Sequence, residues 1–376
     1  CFGSAGIDIR LTKKIDANAQ ATKLGDKVIQ MAKEHAIQSG SPLKIIAFDH
    51  ARRSLYLIST VFDGDMAGAN AKLDDITARI FKPLSQVVKT PAVQSNTQSI
   101  MMQENFEKIV AIGKEHIAAG DIFQVVLSQR FDRKTSVDAF EVYRAVRRLN
   151  PSPYMFFFDF GMVDNEPFHL VGSSPEMFVR LEGSQAALRP IAGTRKRGVT
   201  PELDNALAAE LLADPKEMAE HVMLVDLGRN DLGRVCEYGS VKVSEFATIE
   251  KYSHVMHIVS HVEGTLRPEL TAFDLVRAAF PAGTVSGAPK VKAMEIIADL
   301  EQEGRGPYAG LVGYFGFDGT MDTCLAIRTM VGRGNTFSVQ AGAGIVADSN
   351  PSAEFQETVN KASATLRAID IAEASS

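Results

Sequence analysis

Two segments of the chain place carboxylates by the same rule. Asp214-Pro215-Lys216-Glu217-Met218-Ala219-Glu220-His221 and Asn350-Pro351-Ser352-Ala353-Glu354-Phe355-Gln356-Glu357 each open with a residue suited to cap a helix. Proline follows in the first helical position, where its missing N–H costs nothing. Each helix then carries two glutamates three residues apart, Glu217 with Glu220 and Glu354 with Glu357, on one face of its first turns. The positive end of the helix dipole favours carboxylates there. For either pair alone a solvated helix surface is the ordinary explanation. Met218, Met223, Leu224 and Val225 crowd the first helix, however, and leave it little free surface. If the two helix starts converge, their carboxylates need a cation between them. An all-oxygen site suits Mg²⁺, which keeps waters and binds through one or two carboxylates plus substrate oxygens. The implied substrate is an anion.

Other candidates are weaker. His254, His257 and His261 suggest a zinc site, but the Val- and Ile-rich segment KYSHVMHIVSHVEG reads as a strand. On a strand 254 and 257 face opposite ways, and 257 and 261 stand about 13 Å apart, so three-histidine ligation fails. One of them remains available as an acid or base. GTVSGAPK (283–290) breaks the spacing of a phosphate loop and reads as a turn into the helix VKAMEIIADLEQE. Gln340-Ala341-Gly342-Ala343-Gly344 is expected to follow a strand and to let backbone N–H groups approach an anion. Arg195, Lys196, Arg197 and Arg328 are candidate partners for substrate carboxylates.

The elements that must hold these groups are irregularly mixed. Residues 43–62 read as two strands about a polar turn, Asp49 to Arg53. A helix is expected over 65–82, with Ala67, Ala71, Ile76 and Ile80 on its apolar side. Residues 83–99, with two prolines and many Ser, Thr and Gln, read as a linker or crossing loop. Beyond them come a helix over 101–119 closed by Gly120, then the strands IFQVVLSQRF, PYMFFFDF and HLVGSSPEMFVRL. There is no fixed repeat and no regular strand–helix alternation, so the expected class is α+β with large, mainly antiparallel sheets. The expected organisation is 1–82 as a partial N-terminal region, 83–99 as linker, and 100–376 as the catalytic region.

With 376 residues, 45% of them hydrophobic, there is ample material for a large core. A net charge of −6 without a basic cluster argues against nucleic acid and anionic membrane as partners. Three scattered cysteines fit a reducing compartment, and no apolar run is long enough to span a bilayer. The first residue is Cys rather than Met, so a natural start upstream is expected and the absence of a targeting segment carries little weight.

Taken in order, GDIFQVVLSQRF, VGSSPEMFVR, RPIAGTRKRG, KEMAEHVMLVDLGRNDLGRV, FPAGTVSGAPKVKAMEII, GPYAGLVGYFGFDG, CLAIRTM and QAGAGIVADSNPSAEFQETVNKA resemble the chorismate-utilising enzymes. Among these they are most similar to the anthranilate synthase large subunits. The resemblance implies two large β-sheets packed together with helices outside. It implies Mg²⁺ held by Glu220 and Glu357 with Glu217 and Glu354 close by, binding the ring carboxylate of chorismate. Gly193, Thr194, Tyr308, Arg328, the backbone of Gly342, Ala343 and Gly344, and Lys361 match the family's substrate contacts. His257 matches its catalytic histidine and Glu176 its general acid, and either is open as proton donor to the departing C4 hydroxyl.

Two positions divide the family's chemistries. Relatives that add water to C2, the isochorismate and salicylate synthases, carry a lysine where this chain has Gln124. Aminodeoxychorismate synthases carry a nucleophilic lysine where this chain has Ala192. Both departures favour amination at C2, with ammonia from a separate glutamine amidotransferase subunit, in the cytoplasm or, in a plant, the plastid. Pro153, Tyr154 and Met155 match half of the family's site for tryptophan as feedback inhibitor; the other half is not recognisable, so feedback is expected to be defective. A catalytically silent regulatory or binding fragment is the alternative from another class.

Overall fold

The structure is a computed structural model that describes residues 14–15, 44–49, 54–59, 65–80, 96–252, 255–316 and 318–375. It divides into two compact units, residues 1–88 with 315–320 and residues 89–314 with 321–376.

In the first unit β1 (Lys14–Ile15), β2 (Lys44–Asp49) and β3 (Ser54–Ser59) form an antiparallel sheet of order β1-β3-β2, and α1 (Met66–Ile80) follows. The expected strand pair at 43–62 is present; its turn at 50–53 and most of the expected linker lie outside the described residues. The apolar side expected for α1 is corrected. Ala69 and Leu73 are buried, whereas Ala67 and Ala71 are exposed and Ile80 is 39% exposed. Two stripes were available, and the buried one places Ala69 and Leu73 inward while Ile76 is left half-buried.

The second unit runs β4 (Gln98–Ser99), α2 (Gln103–Ala118), β5 (Gln124–Lys134), α3 (Ala139–Leu149), β6 (Tyr154–Val163), β7 (Glu166–Ser174) and β8 (Met177–Glu182). It continues with β9 (Gln185–Leu188), β10 (Ile191–Lys196), α4 (Pro201–Ala213), α5 (Pro215–Gly233), β11 (Lys242–Lys251), β12 (Val255–Thr265) and α6 (Ala272–Ala279). The last elements are β13 (Gly287–Ala288), α7 (Lys290–Leu300), β14 (Leu311–Phe315), β15 (Met321–Leu325), β16 (Thr329–Arg333), β17 (Thr336–Ile345) and α8 (Pro351–Ser375). One seven-stranded sheet has the order β13-β5-β17-β16-β7-β6 with β4 beside β5. The other has the order β10-β12-β9-β8-β15-β14 with β11 beside β12. The described pairings within them are antiparallel, as the sequence led one to expect.

Helices cover both sheets. Val125, Leu127, Ala343 and Ile345 of the first sheet pack on Phe106 and Val110 of α2 and on Ala293 and Ile296 of α7. Phe131, Val339 and Ala341 pack on Val142 and Val146 of α3 and on Leu366 and Ile369 of α8. On the second sheet Val179, Leu188 and Val262 pack on Val225 and Leu232 of α5 and on Leu275 of α6. Strand pleating then settles what the opposite face shows: with Val125 and Leu127 in the core, Gln124 and Val126 turn the other way.

The run HLVGSSPEMFVRL is two strands, not one. It breaks at Pro175-Glu176, where the chain leaves the first sheet and enters the second. A second crossing, from β15 back to β16, passes through Ala326-Ile327-Arg328, with Arg328 at a φ of 52°. The crossings run side by side, Leu325 N donating to Glu176 O at 3.1 Å and Ser173 N to Arg328 O at 3.2 Å.

Candidate active site

A cavity of about 580 Å³ is lined by residues of both sheets, both crossings and the starts of α5 and α8. The helix starts are built as their sequences require. The Asp214 carboxylate accepts from Lys216 N at 3.0 Å and Glu217 N at 3.3 Å, and Asn350 Oδ1 accepts from Ala353 N at 3.0 Å. Glu217, Glu220, Glu354 and Glu357 all reach the cavity. Burial, and then the neighbouring Glu217 and Glu357 carboxylates, raise the Glu220 pKa, while a 3.1 Å bond from Gln124 Nε2 works the other way. Burial and the Glu357 charge likewise raise Glu354. Two of the four have cations against them: Arg195 Nη1 lies 3.2 Å from Glu217, and Lys361 Nζ lies 2.5 Å from Glu357. Among the described residues no group of three or more His, Cys, Asp or Glu is gathered tightly enough to hold a metal ion.

Glu176 has different company. It sits at the first crossing, where burial pushes its pKa up to about 7 against the opposing effects of a hydrogen bond from Thr284 and the charge of Lys361. Thr284 Oγ1 donates to its Oε1 at 2.7 Å. At neutral pH the group is therefore divided between acid and carboxylate.

His257 lies on β12 facing β10, where the register slips at Gly193-Thr194 and Gly193 takes a φ of 65°. This bulge brings the Gly193 carbonyl 2.8 Å and Thr194 Oγ1 3.2 Å from His257 Nδ1. A carbonyl only accepts, so Nδ1 carries the proton. Burial lowers the pKa, so the ring is neutral and its Nε2 is left as an acceptor.

Gln340 to Gly344 lie within β17 rather than after a strand, which corrects the expectation for this glycine segment. Its pairing with β16 stops at Val339 while its pairing with β5 continues to Ile345, so one edge of the segment is released from the sheet. Lys361 Nζ donates to the Gly342 carbonyl at 2.8 Å on that stretch. A Cβ at Gly342 would stand 2.7 Å from the Tyr308 hydroxyl, and one at Gly344 would stand 2.5 Å from Gln124 Nε2. Gly342 and Gly344 line the cavity; Ala343 does not, because the pleat sends its side chain into the core beneath α2.

The cavity thus brings together Gln124, Glu176, Gly193, Thr194, Glu217, Glu220, His257, Tyr308, Arg328, Glu354, Glu357 and Lys361, and leaves out Ala343. Tyr308 is held neutral, its pKa pushed up by burial to about 12. Arg328 is half-buried and donates to Lys361 O at 3.2 Å. Other basic candidates are committed elsewhere: Arg195 to Glu210, Asp214 and Glu217, and Arg197 to Asp204, while Lys196 is exposed. His261 lies 3.4 Å from Glu263, and His254 falls outside the described residues. Pro153, Tyr154 and Met155 are not part of the cavity; Tyr154 donates to Asp322 at 2.9 Å, and Met155 packs beside α3 and α8.

Sequence reasoning missed Thr284, Tyr252 and Lys216, which also line the cavity. Thr284 lies in GTVSGAPK, read as a turn into a helix and as part of a family motif, with no role given to the threonine. Nothing in its spacing announces a bond to a glutamate 108 positions away.

The family model for chorismate binding enzymes matches residues 18–367. Anthranilate synthase component 1 from Aquifex aeolicus is 56% identical over 292 residues, which are 78% of this chain and 58% of that protein. The protein of the same name from Synechocystis is 49% identical over 355 residues, 86% of this chain and 68% of its own length. The crystal structure of anthranilate synthase component I from Streptococcus pneumoniae superposes with a TM-score of 0.75 at 33% identity, covering 97% of this chain and 94% of that one. This chain therefore spans about three fifths of the Aquifex relative's length.

Proposed function

The chain belongs to the chorismate binding enzymes, and from that premise we propose that it converts chorismate and ammonia to anthranilate and pyruvate. Relatives named anthranilate synthase component 1 support this reading. The observation that carries it is the wall at Gln124. There the side chain is a 97%-buried amide tied to Glu220, and no lysine amine stands at that position or at Ala192. Such a wall suits a nucleophile that needs no deprotonation, and neutral ammonia is one.

The donor set around the cavity suits Mg²⁺: its donors are carboxylate oxygens, and the raised pKa values of Glu220 and Glu354 come from burial and then from neighbouring carboxylates, a repulsion a divalent cation relieves. Glu220 and Glu357 would hold the ion, with Glu217 and Glu354 beside them. When bound, it neutralises the ring carboxylate of the substrate and stabilises charge next to the reacting carbon.

The rest falls to the chain's own groups. Arg328 and Lys361 supply positive charge for the substrate's carboxylates, and the neutral Tyr308 hydroxyl donates beside Gly342. Ammonia forms a bond to C2, the ring double bonds shift, and the C4–O bond breaks. The half-protonated Glu176 gives the departing hydroxyl its proton, so that water leaves; a proton from the new C2 ammonium restores the balance. Neutral His257, with its Nε2 lone pair, accepts rather than donates, which favours Glu176 as the acid. In the second step the C2 proton is lost, the C3–O bond breaks, and the enolpyruvyl methylene takes up a proton to give pyruvate. Aromaticity drives this elimination.

In this reading a glutamine amidotransferase subunit supplies the ammonia, the protein works in the cytoplasm, and tryptophan is the effector whose partial site includes Pro153, Tyr154 and Met155. The test is anthranilate fluorescence from chorismate, Mg²⁺ and ammonium at alkaline pH, without any partner. Signal abolished by EDTA, with pyruvate in equal amount, is the expected result. Isochorismate, salicylate or aminodeoxychorismate as product, or chorismate left unchanged by folded protein, overturns it.

A further inference from the structure

We propose that Arg305, which does not itself line the cavity, is a positioning residue that holds three of its walls at their working separation. All three nitrogens of its guanidinium are engaged. Nη1 donates to Val285 O at 2.6 Å and Nη2 to Val126 O at 2.7 Å, while Nε and Nη2 grip the Glu301 carboxylate at 2.8 and 2.6 Å. Its carbon Cζ lies 5.5 Å from the centre of the Tyr308 ring. Glu301 extends the network, its Oε1 accepting from Ser128 N and Ser128 Oγ, each at 2.8 Å; Ser128 Oγ in turn accepts from Gln340 Nε2 at 2.8 Å. The pair is buried, the two side chains being 16% and 5% exposed.

The segments joined in this way are the ones that carry the cavity's chemistry. Val126 is two residues from Gln124 on β5. Val285 follows Thr284, which donates to Glu176. Tyr308 stands over Gly342, and Gln340 lies on the released edge of β17. Buried carbonyls require partners. The planar fork of arginine serves two carbonyls from different segments with one edge and a carboxylate with the other; a lysine ammonium, a point donor on a flexible stem, does not keep both carbonyls at a set spacing. Arg305 thereby fixes the distance between the wall facing the nucleophile and the wall facing the leaving group. The helix starts carrying Glu217, Glu220, Glu354 and Glu357 make no bond to it, so its direct hold is on the nucleophile wall, the leaving-group wall and Tyr308 rather than on the four carboxylates.

This inference rests on the chorismate reading only for the name of the reaction. The experiment compares Arg305→Lys and Arg305→Ala with the wild type, in full-length folded protein, on whichever chorismate product the wild type makes. For Arg305→Lys the expected result is a kcat lower by about 10²-fold, the scale of a misplacement near 1 Å, with a smaller rise in KM for chorismate through Tyr308 and the Mg²⁺ requirement close to wild type. Added guanidinium is expected to restore part of the lost kcat in Arg305→Ala and to leave the wild type unchanged. A crystal structure of either variant is expected to show Val126, Val285 and Tyr308 displaced. Wild-type kcat in folded Arg305→Lys, a loss confined to KM, or those three segments unmoved would each overturn the proposal. A wild-type product other than anthranilate sinks the proposed function and leaves the Arg305 comparison standing. If the wild type gives no product, the crystal structure decides.

Discussion

Five glutamates line one cavity, and their surroundings divide them into two kinds. Glu217, Glu220, Glu354 and Glu357 stand at the starts of two helices, among one another and beside Arg195 and Lys361. Glu176 stands alone at a crossing between sheets, with one hydroxyl donor and no carboxylate among the causes of its shift. Burial is the largest cause of a raised carboxyl pKa in both settings, for Glu220 and Glu354 as for Glu176, but only the first adds repulsion from neighbouring carboxylates. In the first kind part of the cost is mutual repulsion, which a cation removes. In the second there is no carboxylate repulsion for a cation to relieve, and a proton removes the cost of burying the charge. One residue type therefore supplies a cation site and an acid within a single cavity.

That division can be broken at several points. The largest effect is expected from Glu176→Gln, with kcat down by about 10²–10⁴-fold, the range for loss of a general acid. Its pH dependence follows by sign: the acid form persists below a pKa of about 7 and is lost above it. Per unit of neutral ammonia, wild-type kcat therefore falls as pH rises through that value, and the variant lacks this limb. Stability runs the same way. A folded pKa above the unfolded one gives a contribution fully present below about pH 4.5 and lost as pH rises through about 7. Urea titrations across that window are expected to slope downward for the wild type and less for the variant. Unchanged kcat would erase the distinction between the two kinds of glutamate.

Next comes Glu220→Ala. It is expected to raise the Mg²⁺ needed for half-maximal activity by about 10–100-fold, by analogy with loss of a group supporting a metal site, while keeping the Glu176 limb in place. A Mg²⁺ titration of activity at several pH values measures both at once. If the limb moves and the metal requirement does not, the two kinds have been assigned the wrong way round.

Gly342→Ala tests the released edge of β17, since its methyl would stand 2.7 Å from the Tyr308 hydroxyl. A KM for chorismate raised roughly tenfold, equivalent to about 1.4 kcal/mol, is the expected outcome, read from initial rates. A change in kcat alone would place Tyr308 with the proton-handling group instead. Smallest is Thr284→Val. The bond it removes lowers the Glu176 pKa, so the limb is expected to move to higher pH, with kcat at neutral pH nearly unchanged. A limb that moves down or stays would sink the account of Glu176.

Several of these parts were legible before folding was considered. The capped, proline-led helix starts and their paired glutamates were readable because capping and i,i+3 placement are local rules. The strand carrying His257 was readable from its β-branched residues, and the antiparallel class from the irregular order of elements. The apolar side of α1 was misread because two stripes competed and packing chose between them. The glycine segment was placed after a strand, yet it is a strand whose neighbour ends early.

The sequence by itself determined which residues could act and which short elements present them, because helix caps, turn residues and alternation depend on neighbours a few positions apart. Only the tertiary structure decided which of them meet. Thr284 reaches Glu176 across 108 positions, and Gln124 reaches Glu220 across 96. The raised pKa of Glu176 exists only because two sheets exclude water from the crossing between them. A pKa set by desolvation belongs to the environment that distant segments assemble, and no local pattern of residues encodes it.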